Sequence, residues 1–346
     1  PGELFKSPHH AVTLQSIAET KGESFYRGEL AEKIAHAAKI DGGSLTLEDL
    51  GEHASEWVQP ISLQYNGIEL KEIPPNGQGL APLMALGILR HHDISRYPVD
   101  SADSLHLQIE AMKVAFSEAH RHIADPDSMV VSPERLLDDG FLAERAGEIK
   151  MDRATHPRSS IPVDRGTVYL TAADEKGMMV SYIQSNYLDF GSGVVIPGTG
   201  INLQCRGRGF VVEEDHPNCV AGGKRPYHTI IPGFVTKDGN PLMSFGVMGG
   251  HMQAQGHVQM VVRIFDYLQN PQAACDAPRW YVSEDFRIAL EPGFPDTVIE
   301  DLKRRGHRFM EHANMYLFGG GQLICRMEDG YCAASDPRKD GQAVGF

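Results

Sequence analysis

The character of the chain changes at Thr167, from mostly helical apolar spacing to mostly strand-like runs, and that change restricts the fold more than any other feature. Upstream, Val12, Leu14, Ile17 and Ala18 within SPHHAVTLQSIAETKGESFY lie close to helical spacing. LAEKIAHAAKIDGG predicts a second helix closed by Gly42 and Gly43, and TLEDLGEH a third, with Thr46 and Asp49 as an imperfect capping box. ISLQYNGIELKEIPP carries a hairpin signal around Asn66-Gly67. NGQGLAPLMALGILRHH reads as a loop feeding an apolar helix. SADSLHLQIEAMKVAFSEAHRHIAD reads as a long amphipathic helix capped by Ser101 or Ser104, followed by proline-containing loop as far as Arg165. From Thr167 onward, TVYLTAAD and MMVSYIQS are strand-like around the turn EKG. TIIPGFVTKDGNPLMSFGVMGG is a second hairpin turning at Asp238-Gly239, QGHVQMVVRIFDYLQN a helix, and AACDAPRWYV the start of a mixed final section. Helices, then hairpins, then a helix favour an α+β fold with helices on stacked antiparallel sheets over an alternating parallel sheet.

A length of 346 residues suits one large domain or two ordinary ones, and 41% apolar residues supply a substantial core. The formal charge of −14 argues against nucleic acid and against an anionic membrane surface, both of which need a basic face. No apolar run reaches the roughly 18 residues of a membrane span. Cys205, Cys219, Cys275, Cys325 and Cys332 are odd in number and form no CxxC, so neither a disulfide framework nor a zinc site is expected. Free thiols favour a reducing, cytoplasmic setting. The chain starts at Pro1 without a secretory pattern, so a periplasmic or secreted location stays open.

The sequence has no GxGxxG after a strand, no GxxxxGK[ST], no HExxH and no GxSxG. His9-His10, His91-His92 and His251 with His257 lack carboxylates at ligand spacing and read as surface or helix-cap histidines. Gly249-Gly250 follow a strand-like run and precede a helix. Their N–H groups could face a developing oxyanion, although a plain strand-to-helix turn is the commoner use of such a pair. Thr167 taken alone is an ordinary strand threonine. Its hydroxyl becomes a nucleophile if a base lies beside it, and cleavage of the Gly166–Thr167 bond would free an α-amine with a pKa of about 7.7 to 8.0 to act as that base.

Several separated segments together resemble the γ-glutamyltransferase (γ-glutamyltranspeptidase) family of N-terminal-nucleophile hydrolases. They are FYRGELAEKIAHAAKIDGGSLTLEDL, EIPPNGQGLAPLMALGILRHHDI, DSLHLQIEAMKVAFSEAHRHIADPD, FGSGVVIPGTGI and SDPRKDGQAVGF, and the resemblance runs from about Gly2 to Phe346. It implies a four-layer αββα sandwich and a precursor that cuts itself between Gly166 and Thr167. Residues 1–166 would then be the C-terminal part of a large subunit and residues 167–346 a small subunit beginning at the nucleophile Thr167. Both would come from one precursor, with homo-oligomerisation open. The family's arginine that grips the substrate carboxylate belongs to chain upstream of this sequence. Gly249 and Gly250 match the oxyanion-hole glycines, and Ser185 falls where a threonine hydroxyl supports the nucleophile. No cofactor or metal is implied; the partners are a small acyl amide, with water or an amine as acceptor.

Other positions depart from the family pattern. The acidic pair that precedes a phenylalanine, here Phe210, is replaced by Arg208 and Gly209 within LQCRGRGF, and the preceding polar contact by Arg206. A serine pair after KRP becomes His228-Thr229, and an asparagine near the nucleophile becomes Tyr187. The second acidic residue binds the α-amine of a γ-glutamyl donor. Arg206 and Arg208 therefore suit an acyl group ending in a carboxylate without that amine, such as a glutaryl amide, or are solvated loop arginines. The resemblance thus implies a self-processing amidohydrolase or acyltransferase acting on γ-glutamyl amides, glutathione-type donors included. The alternatives are a cephalosporin or glutaryl acylase, or an uncut family member that only binds.

Overall fold

The computed structural model describes residues 2–157 and 167–346 and divides into two units. The smaller comprises residues up to Trp57 together with Leu188–Cys205. It contains helices α1 (Pro8–Thr20), α2 (Glu23–Arg27), α3 (Glu29–Ile40) and α4 (Leu47–Glu52). The single helix expected across residues 7–26 is two, because Lys21 (φ 54°) and Gly22 (φ 93°) adopt left-handed conformations that close α1. The Thr46–Asp49 capping box forms in both directions. Leu30, Ile34 and Leu50 bury against Ile196 and Ile201, so the glycine-rich loop after Tyr187 contributes apolar residues to this core.

The larger unit is Val58–Tyr187 with Arg206–Phe346. Its elements are β1 (Ile61–Tyr65), β2 (Ile68–Glu72), α5 (Leu80–Leu89), α6 (Ala102–His122), α7 (Pro133–Leu136), α8 (Asp139–Glu148), β3 (Thr167–Ala173), β4 (Met179–Ser185), β5 (Gly233–Lys237) and β6 (Asn240–Met248). There follow α9 (Met252–Val261), α10 (Pro271–Asp276), β7 (Trp280–Val282), β8 (Ile288–Leu290), α11 (Asp296–Arg304), β9 (Gly320–Met327) and β10 (Gly330–Ser335). Six strands form an antiparallel sheet in the order β1-β2-β5-β6-β9-β10, and both predicted hairpins lie within it. Helices α7 and α8 occupy part of the stretch expected to be loop. Asp138 caps α8 through its side chain, and Leu142 and Ala146 bury against the core, so tertiary packing sustains a short helix with little intrinsic signal.

The layers can be read from adjacent residues of β6, which point to opposite faces. On one face Gly246 meets the β3–β4 hairpin: a Cβ there would lie 2.4 Å from the Tyr169 ring. On the other face Val247 meets α9, where a Cβ on Gly256 would lie 2.5 Å from it. Missing side chains thus let a hairpin and a helix close on one strand from both sides. Helix α5, buried along its whole length, covers β1 and β2 beside α9, and α6 packs over α5.

Helix α6 also buries a polar network. Lys113 Nζ donates to Glu110 Oε1 (2.9 Å), the Thr155 carbonyl (3.2 Å) and His307 Nδ1 (3.2 Å). With His307 Nδ1 accepting, its Nε2–H donates to His106 Nδ1 (2.8 Å), and His106 Nε2–H donates to the Lys150 carbonyl (2.9 Å). Thr155 returns both its N–H and its hydroxyl to Glu110 Oε2. His106, Glu110 and His307 lie close enough together to suggest a metal site, but the Lys113 ammonium sits among them with all three protons engaged.

Candidate active site

Strand β3 begins at Thr167, whose side chain shares the sheet-facing side of the hairpin with Tyr169 and Thr171, while Val168 and Leu170 face outward and are exposed. Polar contacts hold that inner side down. Tyr169 Oη pairs with Ser181 Oγ (2.7 Å), Ser181 donates to the Gly233 carbonyl (2.9 Å), and Thr171 Oγ1 pairs with Ser244 Oγ. At the open end of the hairpin Thr167 is in register with Ser185. Gly166, the other half of the expected cut, lies outside the described residues.

Two buried glutamines organise the other side. Gln253, in the first turn of α9, donates a long hydrogen bond from Nε2 to Thr167 Oγ1 (3.5 Å) and accepts from the Ile231 N–H (3.0 Å). Gln78 Nε2 donates to the Gly250 carbonyl (2.9 Å) and the Thr229 carbonyl (2.5 Å). Gly249 (φ 114°) and Gly250 (φ 57°) stand between β6 and α9 in conformations that side chains disfavour. Neither of their N–H groups donates to another backbone group among the described residues. The carbonyl of Gly250 is pinned by Gln78, one helical turn from the residue that touches Thr167. His251 next to them is buried and stacks on Tyr227 (ring centroids 5.9 Å apart, 20° between planes).

The residues that set this chain apart gather at the same end. Arg206 and Arg208 lie on a 3-10 turn, Arg206–Gly209. Asn218 stitches that turn to the next segment, donating from Nδ2 to the Gly209 carbonyl (2.7 Å) and accepting from the Tyr227 N–H (2.9 Å). Gly209 approaches so closely that a Cβ there would lie 2.5 Å from the Tyr227 carbonyl oxygen. Arg206 turns inward: its Nη2 donates to Ser185 Oγ (2.5 Å) and to the Ser185 carbonyl (3.2 Å), and its guanidinium lies 5.6 Å from the Tyr187 ring centroid. Tyr187 is buried at φ 79° and directs its N–H back to Ser185 Oγ (3.3 Å). Arg208 is exposed, and its charge reaches Glu284, a carboxyl that burial pushes up to about 7 against the pull of Arg208. His228 sits next to Gln78 in the backbone ladder; burial, with the Arg206 charge adding to it, holds its imidazole down at about 3. Thr229 is fully buried.

Thr167, Ser185, Gly249, Gly250, Arg206, Tyr187, His228 and Thr229 are thus tied into one network through Gln78, Gln253 and Asn218, while Arg208 stands at its exposed edge. The three connecting amides went unnoticed in the sequence. Gln78 sits in NGQGL, which reads as a loop, and Gln253 and Asn218 carry no motif; only their burial and paired bonds distinguish them.

The γ-glutamyltranspeptidase family model matches residues 1–346. Among curated relatives, the chain is 36% identical to a glutathione hydrolase-like YwrD proenzyme of Bacillus subtilis, aligning over 100% of this chain and 67% of that protein. It is 33% identical to an oxamate amidohydrolase proenzyme of Klebsiella pneumoniae, over 100% of this chain and 66% of that one. Among solved structures, a cephalosporin acylase from Bacillus halodurans superposes with a TM-score of 0.92 at 47% identity, covering 100% of this chain and 63% of the other. The chain therefore spans about two thirds of the length of these relatives, and its fold is the α+β sandwich of an N-terminal-nucleophile acylase.

Proposed function

The chain belongs to the γ-glutamyltranspeptidase family, and from that premise we propose that the full-length protein is a self-processing amidohydrolase or acyltransferase with Thr167 as its nucleophile. The observation that carries this reading is the setting of Thr167. It is the first residue of β3, faces Ser185 across the hairpin, and receives Gln253 at its hydroxyl beside a glycine pair whose N–H groups donate to no other backbone group among the described residues. In the precursor, Oγ1 attacks the Gly166 carbonyl, an N-to-O shift gives an ester, and water opens it. Residues 167–346 then form the small subunit, and the earlier residues belong to the large one. In the mature protein the Thr167 amine takes the hydroxyl proton and Oγ1 bonds to the substrate carbonyl carbon. The Gly249 and Gly250 N–H groups hold the oxyanion, a stabilisation of about 3 kcal/mol in comparable sites. The C–N bond breaks, and the departing amine takes the proton from the Thr167 ammonium. Water or an acceptor amine then releases the acyl group from Oγ1.

The donor is a γ-glutamyl or related acyl amide. A narrower reading, a glutaryl-type acylase, is favoured by one feature: the close approach of Gly209 to Tyr227 leaves no space for the acidic side chain that the family resemblance assigns to binding an α-amine, while Arg208 beside it is exposed and cationic. The deciding experiment is a denaturing gel with mass spectrometry of purified full-length protein. Two fragments, the smaller starting at Thr167, are expected. A chain that stays whole overturns the catalytic reading in favour of a binding protein.

A further inference from the structure

A serine hydroxyl has one proton to give and two lone pairs to receive with. At Ser185 both lone pairs are occupied. The Tyr187 N–H donates to Oγ at 3.3 Å and Arg206 Nη2 donates to it at 2.5 Å. The only remaining capacity of that hydroxyl is its own proton, and the residue facing it across the strand pair is Thr167. A second bond from Arg206 Nη2 to the Ser185 carbonyl (3.2 Å) and the Tyr187 ring beneath the guanidinium fix the cation in this orientation.

We propose that Arg206 is a positioning residue that acts through Ser185: by filling a lone pair of the Ser185 hydroxyl it makes that hydroxyl a one-way donor toward Thr167. The inference rests on the reading of Thr167 as nucleophile. It gives the site a fixed hydrogen-bond direction, from Arg206 to Ser185 to Thr167. Gln253 donates to the same oxygen from the opposite element, α9. With donors on Oγ1 from both sides, the threonine's own proton is turned toward its amine. Once the proton has moved, the alkoxide has three pairs: two are held by Ser185 and Gln253, and the third attacks. Ser185 is then no relay for that proton, because it has no pair left to accept it. Arg206 is thereby assigned to the protein's own machinery, while Arg208, on the exposed side of the same turn, is left to meet the substrate.

The test uses full-length protein with glutaryl p-nitroanilide and γ-glutamyl p-nitroanilide as probes, the single variants R206Q, R206K and S185A, and the double variant. R206Q is expected to lower kcat by about 10- to 100-fold with KM changed by less than about threefold, the pattern of an interaction needed only in the transition state. R206K is expected to recover part of the loss, since an ammonium still donates to Oγ. In the S185A background R206Q is expected to add less than about a threefold further loss, because its route of action is already gone. A rise in KM at constant kcat would instead mark Arg206 as a substrate ligand and overturn the proposal, as would full multiplication of the two losses. Thermal melting and recovery by R206K separate these outcomes from misfolding. Turnover that survives in T167A would sink the nucleophile reading itself, a result distinguishable from any outcome at Arg206.

Discussion

Thr167 and Ser185 face each other on the first rung of an antiparallel hairpin, and the loop following Ser185 folds back so that Tyr187 and Arg206 both bind the serine hydroxyl. The pair is built from adjacent ends of two strands, which fixes its geometry better than two loop residues would. T167A is expected to abolish both chain cleavage and turnover, by at least about 10³-fold, and S185A to reduce turnover by less, about 10- to 100-fold. Gel analysis for the cleavage and p-nitroanilide release for turnover check both.

At Gly249 a methyl group would combine a left-handed φ of 114° with contacts of 3.2 Å to Gly319 Cα and 3.3 Å to Met252 Cβ. G249A is expected to cost about 1–3 kcal/mol of stability. On the proposed mechanism the same substitution displaces an oxyanion donor and is expected to lower kcat by about 10²-fold or more. Urea unfolding and steady-state kinetics read the two effects separately.

On the proposed acylase reading, the exposed Arg208 meets the terminal carboxylate of the donor. R208A is expected to raise KM about tenfold for glutaryl p-nitroanilide and to leave kcat within about twofold, the pattern of a group that binds ground state and transition state alike. An unchanged KM would remove Arg208 from the donor site.

Buried neutral histidines make the fold sensitive to acid. Burial holds His228 near 3 with the Arg206 charge adding to the effect, and His307 near 2, with Lys113 next in importance; the ordinary value for both is 6.5. As pH falls below about 6.5 the unfolded chain takes up protons that the folded chain refuses, so stability is lost steadily down toward pH 3 and is regained on raising the pH. Urea midpoints at about pH 7.5 and about pH 5 are expected to differ in that direction. The difference is expected to shrink in H228N, which removes one of the groups.

Gly246 offers a test of the layered core. G246A forces a methyl group against the Tyr169 ring, and an overpacking loss of about 1–3 kcal/mol is expected. G246A with Y169F is expected to remain destabilised, because the clash is with the ring and not the hydroxyl. Chemical denaturation of both variants decides the matter.

Where local pattern and tertiary structure agree, the sequence was legible. The hairpin around Asn66-Gly67, the capping box at Thr46 and the long helix capped by Ser101 all form as their residues predict. Helix α8 escaped because its ten residues carry a cap and few apolar anchors, and the strand pair β9–β10 because it lay within a section whose pattern was mixed. At the proposed site, Thr167 and Gly249-Gly250 stand out only through the family resemblance, since a strand threonine and a glycine pair have commoner uses. LQCRGRGF offers Arg206 either as a contact for substrate or as a solvated loop arginine, and the structure turns it inward onto Ser185. Its inward turn depends on Tyr187 and Ser185 meeting it from another part of the chain, a relation that no spacing in LQCRGRGF encodes.

The hairpin also works as a reading frame. Thr167, Tyr169 and Thr171 share one side because strand parity puts them there, and the turn closed by the Asp174 carbonyl and the Gly177 N–H sets that parity from the far end. One residue more or fewer in β3 before that turn would exchange Thr167 with Val168 or its predecessor. Every amino acid of the proposed site would then be present with the Thr167 hydroxyl turned outward, so on the proposed mechanism the length of a strand is as much a catalytic property as the residue at its start.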